Sequence, residues 1–354
     1  MSEHPRRSQI ESRLRWSLLK LFQIFIVLCL IDGFLDITYP LASFTKNHLI
    51  RKVSETSPAK PVEPGSVQDI ILPTPGFSVR QEPGIRGIVA EYHSPNINVA
   101  IDGLRYNSPN LSENSATVGL LLGSSAAFGY GVADNQTLAA HLERSLKDVR
   151  LDNYAGLAQP ITDSTLRWYD YQKKHGKPDF VILASANYQI FADCQPVPAV
   201  NTKSNIFLFL AEKIADRFSP KTTFPCASNG SLDLAIRNSI LAIENAVAFG
   251  RKQGIPFHIV NLPTPYDANV NIDNLLKEAN AKAQIAAMQL VYSRFHEELA
   301  KLELPEFIDL SHSLPSDKMY FLDTGGHISG EGNRLIAETL RQRIWGNKFS
   351  NSRD

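Results

Sequence analysis

Cysteine is scarce in this chain: three residues among 354, too few for a disulfide scaffold. Neither a Cys-x-x-Cys nor a His-Glu-x-x-His pattern occurs, which argues against a structural zinc site or a zincin centre. An excess of either charge is also missing. The 36 Lys and Arg balance the 36 Asp and Glu, and no basic block stands out. Nucleic acid is therefore not an expected partner, because phosphate neutralisation drives that binding. The lack of a repeating glycine or heptad pattern excludes collagen-like and long coiled-coil chains. What is present is ordinary. With 43% hydrophobic and 20% charged residues, wholesale disorder is excluded. The length implies one large domain with appendages, or two domains.

One long apolar run exists, at 16–37 (WSLLKLFQIFIVLCLIDGFLDI). It is long enough to cross a bilayer of roughly 30 Å as a helix. Arg6, Arg7, Arg13 and Arg15 precede it, which by the positive-inside rule keeps 1–15 as a cytoplasmic tail and exports the rest. A cleaved signal peptide is the rival reading, but proline occupies the −3 position of Tyr39-Pro40-Leu41-Ala42, so no clean small-x-small site appears. A helix buried in the soluble domain is a third reading, disfavoured by the flanking arginines and the linker that follows. The expected arrangement is an uncleaved single-pass anchor with the remainder outside the cytoplasm. Export would let Cys194 and Cys226 pair, a closure that stabilises by roughly 3–4 kcal/mol on the chain-entropy account. The alternative is two buried free thiols.

Downstream, 38–76 is expected to be a linker, its 57–76 part rich in proline. A β-rich lead-in at 77–115 follows, with Gly and Asn-Ser turns between short strands. The main domain is expected at 116–346 and a flexible tail at 347–354. Within the domain, continuous apolar runs at 117–122 (TVGLLL), 180–184 (FVILA), 256–262 (PFHIVNL) and 307–310 (FIDL) have the look of buried parallel strands. Helical spacing appears at 137–146, 239–251, 275–301 and 335–344. Alternating strands and helices predict an α/β fold, a three-layer α/β/α sandwich around a parallel sheet. Such sheets place their chemistry at the carboxyl ends of strands.

The first strand runs into Gly123-Ser124-Ser125-Ala126-Ala127-Phe128-Gly129-Tyr130-Gly131. Small residues allow a sharp turn that leaves a serine hydroxyl beside backbone N–H groups. Read alone, this is a glycine-rich turn. It is not a P-loop, since no Gly-x-x-x-x-Gly-Lys-Ser/Thr pattern is present. Taken with three further segments, it resembles the SGNH, or GDSL-type, hydrolase superfamily. Gly123-Ser124-Ser125 stands for the Gly-Asp-Ser block. Asn153-Tyr154-Ala155-Gly156 is similar to the second block, Ser185-Ala186-Asn187-Tyr188 to the third, and Asp323-Thr324-Gly325-Gly326-His327 to the last. The resemblance covers roughly 118–344.

That resemblance implies a flavodoxin-like sheet, a nucleophile at Ser125 and a base at His327. A serine hydroxyl is a poor nucleophile until an imidazole takes its proton. It further implies oxyanion donors at the Ser125 N–H, the Gly156 N–H and the Asn187 amide, each worth about 2.7–4 kcal/mol on removal. The other histidines read as structural or solvated: His4 in the cytoplasmic tail, His48, His93 and His175 in exposed segments, His141 and His296 on helices, His258 in a strand. His312 also follows a strand, but only His327 has both a nearby carboxylate and a helix after it. Ser124, Ser185 and Tyr188 depart from the family's blocks. So does Thr324, which occupies the place of the orienting aspartate, three residues before the histidine. Asp323 lies four before. The expectation is that Gly325-Gly326 bulges the loop enough for Asp323 to reach the imidazole; otherwise a Ser-His dyad remains. Asp309 reads as a structural strand-end residue, Asp193 as a solvated loop residue, and Arg105 as lining a pocket or making an ion pair.

The expected activity is hydrolysis of an acetyl or short acyl ester, on a glycan or lipid, through an acyl-enzyme at Ser125. It needs no metal or organic cofactor. The partners expected are the ester-bearing substrate and, through 16–37, a membrane. Two alternatives stand beside it: an O-acyltransferase of envelope polysaccharide, and a catalytically silent domain acting as a binding or assembly subunit.

Overall fold

Strands whose residues are apolar on both sides can only be buried on both faces, and that pattern organises this molecule. The computed structural model describes residues 76–107, 117–146, 148–195, 226, 231–267, 270–273, 275 and 281–346. All belong to the unit formed by Val62–Val200 and Ser219–Asp354. The expected cytoplasmic tail, the apolar run at 16–37, nearly all of the linker and the tail at 347–354 lie outside them. Among the described residues no helix is long and apolar enough to cross a membrane.

Two short antiparallel pairs open the described chain: β1 (Val79–Glu82) with β2 (Ile85–Val89), and β3 (Tyr92–His93) with β4 (Asn98–Val99). The central sheet holds β5 (Thr117–Gly123), β6 (Val149–Asn153), β7 (Phe180–Ala184), β8 (Phe257–Asn261) and β9 (Phe307–Asp309) in the order β6-β5-β7-β8-β9. Every pair is parallel. The order reverses direction beside β5, and open α/β sheets bind ligands at such a switch point. The lead-in reaches the sheet edge through Arg105, which bridges Val99 on one side and Asn153 of β6 on the other.

The helices are α1 (Ser125–Phe128), α2 (Leu138–Ser145), α3 (Ile161–His175), α4 (Ala186–Asp193), α5 (Leu232–Gln253), α6 (Ala281–Leu299) and α7 (Gly330–Trp345). Alternate strand residues sort them into layers, because side chains on a strand point to opposite faces. Leu120, Leu122, Val181, Leu183 and Ile259 share a core with Trp168 of α3, Ile190 of α4, Ile243 of α5 and Phe295 of α6. Leu121, Ile182, Val260 and Ile308 face the other way, onto Phe128 of α1, Leu142 of α2 and Ile336 of α7. The result is the three-layer α/β/α arrangement.

Several element bounds differ from the sequence reading, for identifiable reasons. Helix α3 escaped it because its buried face includes Asp163, Ser164 and Arg167 beside Ile161, Trp168 and Tyr171, which breaks the apolar period. Helix α5 starts at Leu232 rather than 239, and its Leu234 and Leu241 are exposed. Helix α6 is described from Ala281, and 276–280 of the expected helix lie outside the described residues. Helix α7 starts at Gly330 rather than 335, capped by the Ser329 hydroxyl, which accepts from the Gly332 N–H at 3.2 Å. Cys194 and Cys226, both buried, form a disulfide with Cα atoms 5.1 Å apart.

Candidate active site

The site is assembled from the carboxyl ends of β5, β6 and β7 and from the loop between β9 and α7. At the end of β5, Gly123 has a φ of 150°. A Cβ there would stand 2.3 Å from the Ala184 carbonyl oxygen and 2.7 Å from the Ala127 Cβ, so only glycine lets the chain turn this tightly against β7. Ser125 then opens α1, with Ser124 preceding it in an extended conformation. The first N–H groups of a helix have no intrahelical acceptor, so the Ser125 N–H sits beside its own hydroxyl as a donor. Gly129 in the left-handed conformation ends the turn.

Three side chains meet in a row. His327 Nε2 lies 2.9 Å from Ser125 Oγ, and His327 Nδ1 lies 2.6 Å from Asp323 Oδ2. Both distances are within hydrogen-bond reach for proton transfer. The loop between β9 and α7 achieves this by folding tightly on itself. Asp323 Oδ1 accepts from the Gly325 N–H at 2.9 Å and the His327 N–H at 3.3 Å. The Leu322 N–H donates to the His327 carbonyl at 2.8 Å, and Gly326 takes a φ of 83°. Gly325 and Gly326 thus let the loop curl so that a carboxylate four residues before the histidine reaches its ring. A Cβ on Gly325 would stand 3.1 Å from Asp323 Oδ1 and 3.3 Å from His327 Cε1, which leaves little room for any larger residue.

The electrostatics suit this geometry. Burial pushes the Asp323 carboxyl up, but the hydrogen bond and charge of His327 and the two backbone N–H bonds outweigh it and hold the group below the ordinary carboxylate range. An ionised Asp323 fixes the Nδ1–H tautomer and leaves Nε2 free to accept the serine proton. Tyr130 packs on the imidazole with ring centroids 4.6 Å apart, and Phe77 of the lead-in packs on Tyr130 at 6.5 Å.

The expected oxyanion donors have unequal standing. Gly156, three residues beyond β6, donates its N–H to the Gly123 carbonyl at 3.0 Å. That N–H, an oxyanion donor by the resemblance, is engaged here. Asn187 lies near the start of α4, only 6% exposed, with no partner for its buried Oδ1 among the described residues.

Arg105 was legible only as an ambiguous cation. It is fully buried, pairs with Asp134 at 2.9 Å, and donates to the carbonyls of Phe128, Gly129 and Val132 at 2.7–2.9 Å. It therefore locks the chain immediately after the nucleophile turn. Asp193 is no solvated loop residue: it ends α4 and accepts from the Ser239 hydroxyl at 2.7 Å and from Gln189 at 2.9 Å. His175 is exposed, as expected, and its Nε2 lies 2.6 Å from Asp102 Oδ2. Asp309 accepts from Asn261 and the Ser311 N–H, a strand-end role. His312 is exposed, near His296 rather than Ser125. A cavity of about 880 Å³ is lined by Asn96, Arg105, Asn107, Glu143 and Asp152 among others, and by none of Ser125, Asn187, Asp323 or His327. Among the described residues no cluster of three metal-ligating side chains occurs.

No family model and no curated relative matches the chain. Among solved structures it is similar to a member of the lipolytic protein G-D-S-L family from Veillonella parvula (11% identity, 65% of this chain and 98% of that one, TM-score 0.39). It is similar also to a lipase from a goat rumen metagenome (14% identity, 66% and 100%, TM-score 0.40) and to an acetyl xylan esterase (15% identity, 64% and 99%, TM-score 0.35). At such identities and TM-scores, the case for an activity rests on the geometry of the Ser125–His327–Asp323 row.

Proposed function

We propose that this protein is an SGNH-type serine esterase, anchored in a membrane through 16–37 with its catalytic domain outside the cytoplasm. The observation that carries the activity is the continuous row from Ser125 Oγ through His327 to Asp323, at 2.9 and 2.6 Å. Ser125 Oγ attacks the ester carbonyl carbon while its proton passes to His327 Nε2. The negative charge that builds on the carbonyl oxygen is met by the Ser125 N–H and the Asn187 amide. Collapse of the tetrahedral species breaks the ester C–O bond, and His327 returns the proton to the leaving alkoxide. Water then repeats the sequence on the acyl-enzyme, giving its proton to His327 and releasing the acid. Asp323 stays ionised throughout and stabilises the imidazolium.

The substrate proposed is an acetyl or short acyl ester on a glycan or lipid, since an anchored enzyme meets envelope polymers first. The Cys194–Cys226 disulfide supports an oxidising compartment. The Ser125–His327 contact weighs against a catalytically silent domain. Hydrolysis of p-nitrophenyl acetate tests the reading: Ser125→Ala is expected to lose roughly 10³-fold or more, and wild-type rates in that variant would overturn it.

A further inference from the structure

Two tyrosines outside the reacting row join its two sides. Tyr266 lies on the loop after β8, and its hydroxyl donates to the carbonyl of Thr324, within the turn between Asp323 and His327. Tyr292 lies on α6, and its hydroxyl donates to the carbonyl of Asn187 at 2.7 Å. The two rings stack with centroids 5.5 Å apart and planes 29° apart, and they are only 4% and 3% exposed. Each partner is remote in sequence, 58 residues away for Tyr266 and 105 for Tyr292, so neither bond follows from local chain geometry. A second contact reinforces the first: a Cβ on Gly326 would sit 3.5 Å from Pro265 Cδ, so the Tyr266 loop lies directly against the glycine turn.

The need for such support follows from the turn itself. Gly325 and Gly326 give it the freedom to bring Asp323 to the imidazole, and the same freedom permits it to drift. A displacement of about 1 Å in a reacting group costs up to about 10²-fold in rate. On the opposite side, Asn187 sits at the first turn of a short helix. Burial keeps the Tyr292 hydroxyl protonated far into the alkaline range, so it remains a donor wherever the row is functional.

We propose that Tyr266 and Tyr292 form one brace that holds the Asp323–His327 turn in register with Asn187, making them positioning residues. This rests on the esterase reading above, because the bonds of the two hydroxyls go to the carbonyls of Thr324 and Asn187 and act on the row through them.

The test uses the full-length chain with p-nitrophenyl acetate and a fluorophosphonate probe. Tyr266→Phe and Tyr292→Phe each keep the ring stack and delete one hydrogen bond. Each is expected to lower kcat about ten-fold with KM within about two-fold, in protein whose near-UV circular dichroism matches the parent. The double variant is expected to lose less than the product of the singles, because either deletion releases the same coupling. Unchanged kcat in both variants overturns the brace. So do losses that simply multiply, or a rise in KM as large as the fall in kcat, which mark separate structural roles. If one variant does not fold, the other is read alone by the same split between kcat and KM. A parent chain that takes no label on Ser125 defeats the esterase reading. A labelled parent with unaffected variants defeats only the brace.

Discussion

His327 is one imidazole with two tasks, and each of its nitrogens has a partner suited to one of them. Nδ1 meets the Asp323 carboxylate at 2.6 Å and Nε2 meets the Ser125 hydroxyl at 2.9 Å. Replacing the carboxylate by an amide keeps the shape but allows the wrong tautomer, so Asp323→Asn is expected to lower kcat by about 10³–10⁴-fold with KM nearly unchanged; steady-state kinetics on an activated ester checks this, and a loss below about ten-fold would leave a Ser-His dyad as the working unit. Ser125 and His327 were legible through the resemblance of four separated blocks taken together, since the glycine-rich turn read alone names no nucleophile. The reach of Asp323 was readable only as a consequence of two glycines, and its distance came from the fold of the loop. Gly156 shows the limit most plainly. A backbone N–H carries no sequence signal for its acceptor, and the Gly123 carbonyl takes it. Tyr266 and Tyr292 left no trace at all, since their partners are remote in the chain.

At the scale of elements, two buried ionisable groups set the stability of the site's frame. Arg105 ties the lead-in, the nucleophile turn and Asp134 together. Arg105→Met is expected to destabilise by about 3–5 kcal/mol in urea unfolding, because it strands a buried carboxylate and leaves carbonyls without a donor. Arg105→Lys does not rescue it, since an ammonium lacks the planar fork. Asp267, on the loop after β8, behaves differently. Burial raises its carboxyl to about 8, against the pull of the Thr264 hydrogen bonds. His296 Nε2 is 3.6 Å from Oδ1, too far for a hydrogen bond, and burial pushes that imidazole's pKa down, so the two are not a strong ion pair. A raised folded-state value means that the fold holds a proton the unfolded chain has released. The stability from that proton is complete below the ordinary carboxylate range and is lost as pH rises towards about 8. Asp267→Asn is expected to flatten this decline and to raise the melting midpoint at pH 8 relative to the parent; an unaltered pH dependence would mean that Asp267 is ionised in the fold.

For the whole molecule, the parallel sheet and the helices on both its faces were legible because four of the five strands read as unbroken apolar runs; the strand order was not, and β6 carries no such run. Helix α3 was not legible either, since Asp163 and Arg167 lie on its buried face, and polar burial hides the period that sequence patterns depend on. The role of the lead-in also needed three dimensions: it joins the sheet edge at Arg105 and sends Phe77 onto Tyr130 beside His327. The proposed anchor at 16–37 is tested separately by carbonate extraction and N-terminal sequencing, which are expected to leave an intact chain in the membrane fraction. Soluble protein trimmed before about residue 45 would show that the run is removed.

The central claim is an activated nucleophile, and active-site labelling tests it most directly. The purified chain is treated with a fluorophosphonate probe and the adduct located by mass spectrometry. The predicted result is one adduct per chain on Ser125, abolished in His327→Ala. The contradicting result is no adduct under conditions that label a control serine hydrolase, or an adduct on Ser125 that persists without His327.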